Sequence, residues 1–454
     1  MPNYVSELEF QPSGTRALIK DAAAQSSITT INNRIDNLDI NHVYNQSTPD
    51  SGLTTNIGLK EGVYDITTDT TINAQLVVPK GAILNVAAGV TLTINGTITA
   101  GRYQIFDGAG TIVVDNSIQS FGYPEWFNDD VKKCYAVFNI VDLDAKNYIV
   151  DGDLHLIRHN SVIRGVNYGR YLEAGNQCSR LVFTTGRLII GTYDTQVIND
   201  YIWGINVKNV NIAYDGNLEA VSVYGCVLFV MENCYIEAVG GSRGVHLFQA
   251  IGSFFNRCYV QIVNNANTYY GWHIDNTGTN MNASVWITEC TFGDTGTPTG
   301  RSYGFLLQGP KVSDIFLDKC EVAVADQGLV LYNITSAGSV NIHITDCDFD
   351  SVRENGILVL NCSTGAATFS GDYIAPVTGS THALFSINNS TISLILNGVQ
   401  LINTNSGQIG IQAVSCVPSL IGDVIINNST TPIVITDTSN TSLRYLNNGV
   451  LATI

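Results

Sequence analysis

Glu237 lies three residues past Cys234, and Asp294 lies four past Cys290, two recurrences of one short phrase. If each recurrence is one coil of a stack, two coil steps and one residue separate these carboxylates by about 10 Å. That is near the upper end of the roughly 6.5–9.5 Å an inverting glycosidase leaves for its attacking water, and too wide for a retaining pair. Asp215 is a third candidate acid. Tyr235, Tyr259 and Tyr270 offer rings on which sugar faces stack, while Arg257, Arg301 and Glu219 offer polar partners. The chemistry expected of this set is acid–base cleavage of a glycosidic bond in a bound glycan. A lyase would need a base beside a uronic acid and an arginine to neutralise it, and Arg257 between Tyr235 and Tyr259 fits that part. The Asp-Asp and Gly-His-Gly signatures of pectin-degrading polygalacturonases are absent, so hydrolysis is favoured. The row Asp346, Asp348, Asp350 reads as solvated carboxylates. No metal and no cofactor is expected, because no CxxC or Cys/His zinc spacing occurs.

A repeat must position these residues. The phrase runs Met231–Ile236, Phe255–Val260, Ile287–Phe292, Leu317–Val322 and Ile344–Phe349, with Cys234, Cys258, Cys290, Cys320 and Cys347 in one slot. Val210, Val399 and Val424 fill that slot in other copies, and Asp372 fills it once. Separations of 24 to 32 residues indicate a solenoid. A second phrase interleaves, Gly followed by alternating apolar residues, as at Gly244, Gly271, Gly304, Gly328, Gly356 and Gly410. At least two short strands per repeat, without room for a helix, give an all-β, single-stranded parallel β-helix.

With the Cys phrase taken as one strand, the slot is mid-strand and its neighbours point outward. The buried slot then holds free thiols, small hydrophobes in a reduced stack. The residues two past each Gly, His246, His273, Leu306, Val330, Leu358 and Gln412, with Phe385 counted among them, form an outward and largely apolar row. An apolar sheet on both faces demands a cover. The expected cover is two further copies of the chain, a parallel homotrimer with His246 and His273 at the interface. The turn between the two phrases is long in three early repeats and short at Cys234. That unevenness predicts a notch walled by Tyr214, Asp215 and Glu219 on one side and Tyr269, Tyr270, Asp294, Arg301 and Tyr303 on the other.

Composition narrows the partners. A net charge of −17 excludes nucleic acid or anionic lipid held through a basic face. No apolar run approaches the ~18 residues that span a membrane, and no membrane insertion is expected. Met1 to Phe10 lacks the charged start and apolar run of a signal peptide, so synthesis in a reducing cytoplasm without secretion is expected.

In order, residues 1–14 are polar and irregular, and 15–46 read as a helical stem. Ile28, Ile31, Ile35 and Leu38 alternate by three and four, coiled-coil spacing that with Ile at both seam positions favours three or four strands. Residues 47–128 read as a β-rich entrance, 129–435 as the solenoid body and 436–454 as a short β tail.

The entrance carries Gly62-Val-Tyr-Asp-Ile66, then Pro124-Glu-Trp-Phe127 with Asp129-Asp130 and a short helical pattern, then Val162-Ile-Arg-Gly165. These motifs resemble the entrance of pectate-lyase-like right-handed β-helix proteins, in particular bacteriophage tailspikes that bind and depolymerise bacterial surface polysaccharide. The resemblance covers roughly residues 58–190 by motif and 190–435 by repeat. It implies a right-handed coil, a homotrimer in the virion tail, a capsule, exopolysaccharide or O-antigen substrate, and attachment to tail or baseplate proteins through residues 1–14. A non-enzymatic receptor-binding or structural fibre is the alternative. A secreted bacterial carbohydrate-active enzyme comes third, since the lack of a signal peptide and the N-terminal heptad weigh against it.

Overall fold

The computed structural model describes residues 42–44, 56–167, 178–192, 200–239, 243–263, 268–277, 282–294, 300–336, 341–403, 408–415, 419–427, 429–435, 441–447 and 449–454. The expected stem helix and the attachment peptide lie outside them. His42–Tyr44, inside the range assigned to the stem, is a strand paired in parallel with Ile57–Leu59.

The chain forms two units, one of residues 1–120 with 125–129, the other of 121–124 with 130–454. The first is itself a small parallel solenoid. Its strands fall into three parallel ladders, among them Gly62–Ile66, Ala82–Val86 and Phe106–Gly108. Trp126 of the Pro-Glu-Trp-Phe motif is buried there. Its indole donates to Gly101 O (2.9 Å), and Phe106 packs against both Trp126 and Phe127. In the second unit, the helical pattern forms Val131–Val137, capped by Asp130, whose carboxylate accepts from Lys133 N.

The body has three strands per coil. The first ladder includes Val230–Glu232, Ala283–Thr288, Ser313–Asp318 and Ile342–Thr345; the second includes Tyr235–Val239, Tyr259–Val263, Thr291–Asp294 and Glu321–Val324. The third carries the Gly phrase: Arg243–Asn256, Tyr269–Asp275, Ser302–Gln308, Gln327–Tyr332 and Ile357–Leu360.

The Cys phrase is therefore a corner between two strands, not one strand. The residue before the slot is left-handed: Asn209, Asn233, Arg257, Glu289, Lys319 and Asp346 have φ between 51° and 54°, and Gly371 and Gly398 precede Asp372 and Val399. Asn tolerates this conformation by local hydrogen bonding, and here Asn233 Nδ2 donates to Asn209 Oδ1 of the previous coil at 3.1 Å. The bend turns the slot inward. Cys234, Cys258, Cys290, Cys320 and Cys347 are at most 1% exposed, and all nine described cysteines are free.

The outward apolar row departs from expectation in two ways. Leu306, Val330 and Leu358 are only 4, 3 and 9% exposed within the single chain, because Tyr270, Tyr303, Tyr332 and Leu360 pack over them. The chain covers its own row, so the row gives no support to a subunit interface. Phe385 belongs to the inward column, paired with Ile357 and Ile411 and fully buried; Ser386 takes the outward place. An outward column with exposed apolar surface lies instead on the first ladder. There Phe254, Trp286, Phe316 and His343 stack with ring centroids 4.6, 5.4 and 5.3 Å apart, and Phe254 is 40% exposed.

Candidate functional site

The outward face of the third ladder carries three columns. One runs Glu219, Arg243, Tyr270, Tyr303, Gln327; the next Ser222, His246, His273, Leu306, Val330, Leu358. In the third, Gln308 lies opposite Tyr332 and Tyr332 opposite Leu360. Tyr270 and Tyr303 stack at 5.0 Å between centroids. With Tyr332 they wall a hollow of about 260 Å³ floored by Leu306, Val330 and Leu358 and edged by Arg301, Gln308 and Gln327. Glu354 fixes that edge: it accepts from Arg301 Nη2 at 2.9 Å and from Gln327 Nε2 at 3.1 Å. Apolar floor, aromatic walls and a few placed polar groups are the make-up of a small-ligand site.

Upstream on the same face lies a charged cluster. Arg243 Nε donates to His273 Nδ1 (2.9 Å), and His273 Nε2 contacts Gln308 Oε1 (3.0 Å). A guanidinium only donates, so the His273 proton sits on Nε2 and is given to Gln308. Burial, helped by the neighbouring His246, lowers the His273 imidazole to about 3, so it is neutral. His246 stacks on it at 5.0 Å and reaches Asp275 Oδ2 with Nε2 (3.2 Å). Burial alone would raise the Asp275 carboxyl, but hydrogen bonds from His246 and Thr277 hold it below the usual carboxylate range.

Glu219 is the hub of this cluster and only 4% exposed. It pairs with Arg187 and accepts from Ser222 Oγ (2.9 Å) and Tyr224 Oη (2.8 Å), with His246 Nδ1 at 3.6 Å. Burial pushes its carboxyl up, and these partners more than offset that, keeping it ionised. His246, His273 and Asp275 bring potential ligand atoms within 4.8 Å of one another. Yet the Arg243 bond obliges His273 to keep its proton on Nε2, which leaves no lone pair there for a metal. As arranged, the cluster is an ion-pair network.

The structure thus brings Tyr270, Arg301 and Glu219 onto one face. Tyr270 and Arg301 edge the hollow, whereas Glu219 departs from the expected role of open sugar contact because its oxygens are buried among protein partners. His246 and His273, expected to face outward from the chain, are likewise buried within it. The other candidates stand on the second ladder and its corner. Tyr235 and Tyr259 stack at 5.2 Å, within 1° of parallel, with Tyr235 buried. Arg257 occupies a left-handed corner and donates to Glu289 at 2.8 Å. Glu237 accepts from Arg180 at 3.0 Å, and Asp215 ends Asn211–Asp215, exposed.

Register separates the expected acid pair. Glu237 lies opposite Gln261, which faces Gly293, while Asp294 lies opposite Ile262, in the column of buried Ala238. The Asp294 side chain and the turns 240–242, 264–267 and 295–299 that would floor and wall the notch lie outside the described residues. The acidic row is also broken, because Asp346 is a corner residue. Asp348 stays on the strand opposite Glu321, half-buried, and burial with the charges of Asp350 and Glu321 raises its carboxyl to about 6.

Sequence reading missed Tyr332, Gln308 and Gln327 as site residues. They stood at fixed offsets from the Gly phrase: Gln308 and Tyr332 four after Gly304 and Gly328, and Tyr270, Tyr303 and Gln327 one before Gly271, Gly304 and Gly328.

No family model and no curated protein matches the chain. Among solved structures it is similar to Geobacillus virus E2 ORF18, 10% identical with a TM-score of 0.30, over 68% of this chain and 53% of that one. This chain thus spans about half the length of that protein. It is also similar to PfbA, a surface adhesin of Streptococcus pneumoniae, 10% identical with a TM-score of 0.25, over 88% of this chain and 86% of that one. At such scores neither likeness carries an argument about function.

Proposed function

We propose that this chain is a glycan-binding β-solenoid acting as a bacteriophage spike that grips the surface polysaccharide of a host bacterium. The observation that carries the reading is the hollow walled by Tyr270, Tyr303 and Tyr332 over an aliphatic floor, with Arg301, Gln308 and Gln327 at its edge. Tyrosine rings present apolar faces to the C–H faces of sugars while side-chain amides and a guanidinium meet hydroxyls. The phage assignment, a place in the virion tail and attachment through residues 1–14 are supported by the entrance motifs, and homotrimeric assembly by the Ile28, Ile31, Ile35 and Leu38 spacing. The test is adsorption of purified chain to capsule, exopolysaccharide and O-antigen preparations. Tyr303→Ala and Tyr332→Ala each weaken adsorption about tenfold, the worth of one aromatic contact. Adsorption indifferent to both substitutions would remove the hollow from the reading.

Depolymerisation is a second reading, favoured by Asp348. A carboxyl raised to about 6, opposite a second acid, Glu321, has the make-up of a general acid with its partner. Asp348→Asn abolishes release of reducing ends from the bound polysaccharide, and the wild-type rate falls as pH rises past about 6. Glu237→Gln, which loosens only the Arg180 pair, leaves the rate within a few fold. The opposite ranking of the two variants would return the chemistry to Glu237.

A further inference from the structure

We infer that the tyrosine-walled hollow reads an acetamido group, so that the glycan it takes carries N-acetylated amino sugars. The inference rests on the glycan reading above and narrows it to a chemical class.

Two amides flank the aliphatic floor, and chemistry fixes which end of each the protein engages. Gln327 is 2% exposed and lines the hollow. Its Nε2 must face Glu354, because a carboxylate only accepts, and its Oε1 is left buried with no hydrogen bond. On the other side, Gln308 Oε1 is engaged by His273, whose proton is forced onto Nε2 by Arg243. The Gln308 amide N–H groups are then the donors it can give to a ligand. Register sets the aliphatic column between them: Gln327 belongs to the Tyr303 column and Gln308 to the Tyr332 column, with Leu306, Val330 and Leu358 in the middle.

A ligand matching this needs a donor toward Gln327, an acceptor toward Gln308 and an apolar group on the floor. A trans secondary amide points its N–H and C=O in opposite directions, and an acetamido group adds a methyl beside them. A hydroxyl in its place satisfies at most one amide and leaves the aliphatic floor against a polar group. A buried acceptor without a donor is costly, which makes Gln327 Oε1 the element that discriminates. The stacked Tyr270 and Tyr303, with Tyr332, select a sugar ring over a peptide as the carrier of the amide.

The test uses the full chain and saturation-transfer NMR with methyl glycosides of N-acetylglucosamine, N-acetylgalactosamine, N-acetylmannosamine and N-acetylfucosamine. Each is paired with its counterpart bearing a hydroxyl at the same carbon. At least one acetylated sugar binds about tenfold or more tightly than its counterpart, with transfer strongest at the acetyl methyl. Gln327→Met removes that preference while retaining weak binding to both. The ligand pairs need no variant, so a poorly folded Gln327→Met does not spoil the comparison. Equal binding of acetylated and hydroxyl sugars, or no response from any acetylated sugar, overturns the inference. So does N-acetylalanine methylamide binding as tightly as the best sugar. The glycan reading is judged separately, by Tyr303-dependent adsorption of polysaccharide, and survives those outcomes if that adsorption stands.

Discussion

Asp372 occupies a slot that the neighbouring coils fill with cysteine or valine. It is fully buried; Oδ1 accepts from Cys347 N at 2.9 Å, and Oδ2 makes no hydrogen bond. Burial raises its carboxyl from 3.8 to about 8, so folding favours the protonated form. The stability this position contributes is therefore full below about pH 4, is lost as pH rises toward 8, and is flat above. At about 1.4 kcal/mol per unit the window spans a few kcal/mol. Guanidinium unfolding at pH 5 and pH 9 should show Asp372→Val more stable than wild type by a wider margin at pH 9; equal margins would refute the assignment. Burial likewise raises the thiols, Cys226 to about 12 and Cys362 to about 11. They, with the slot cysteines, should resist a thiol reagent until the chain unfolds. The buried slot was legible from the apolar residues around each cysteine. The cost of one aspartate in it was not, because that depends on the orphaned oxygen.

The corner before each slot explains why the Cys phrase was misread as a strand. The apolar positions three before and two after the slot are five residues apart, an odd step, and a continuous strand would send them to opposite faces. That both are buried requires a bend, so the signal was present and the period reading passed over it. A left-handed residue without Asn or Gly chemistry carries a cost of roughly 1–2 kcal/mol. Lys319, at φ 51°, should therefore yield a more stable protein as Lys319→Gly, by several tenths to about 1 kcal/mol. Asn233→Val should lose at least about 1 kcal/mol, since a β-branched residue tolerates that φ poorly and the bond to Asn209 goes with it. Denaturant midpoints decide both, and a stabilised Asn233→Val would contradict the corner.

At the scale of the whole molecule, the parallel solenoid and its all-β class were legible because a repeat announces itself. The use of each face was not. The apolar row on the third ladder called for a cover, and sequence cannot tell a neighbouring subunit from tyrosines in the two flanking columns of the same sheet. The homotrimer now rests on the Ile28, Ile31, Ile35 and Leu38 spacing, and Ile31→Lys should lower the mass seen by light scattering from three chains to one. The central claim is that the tyrosine-walled hollow holds a sugar, and its most direct test is a crystal structure of the chain soaked with oligosaccharide from a polysaccharide it adsorbs. The expected result is a sugar ring against Tyr303 with its polar groups on Gln308 and Gln327. A bound oligosaccharide lying along Tyr235, Tyr259 and Glu237, with the hollow left to solvent, would contradict it.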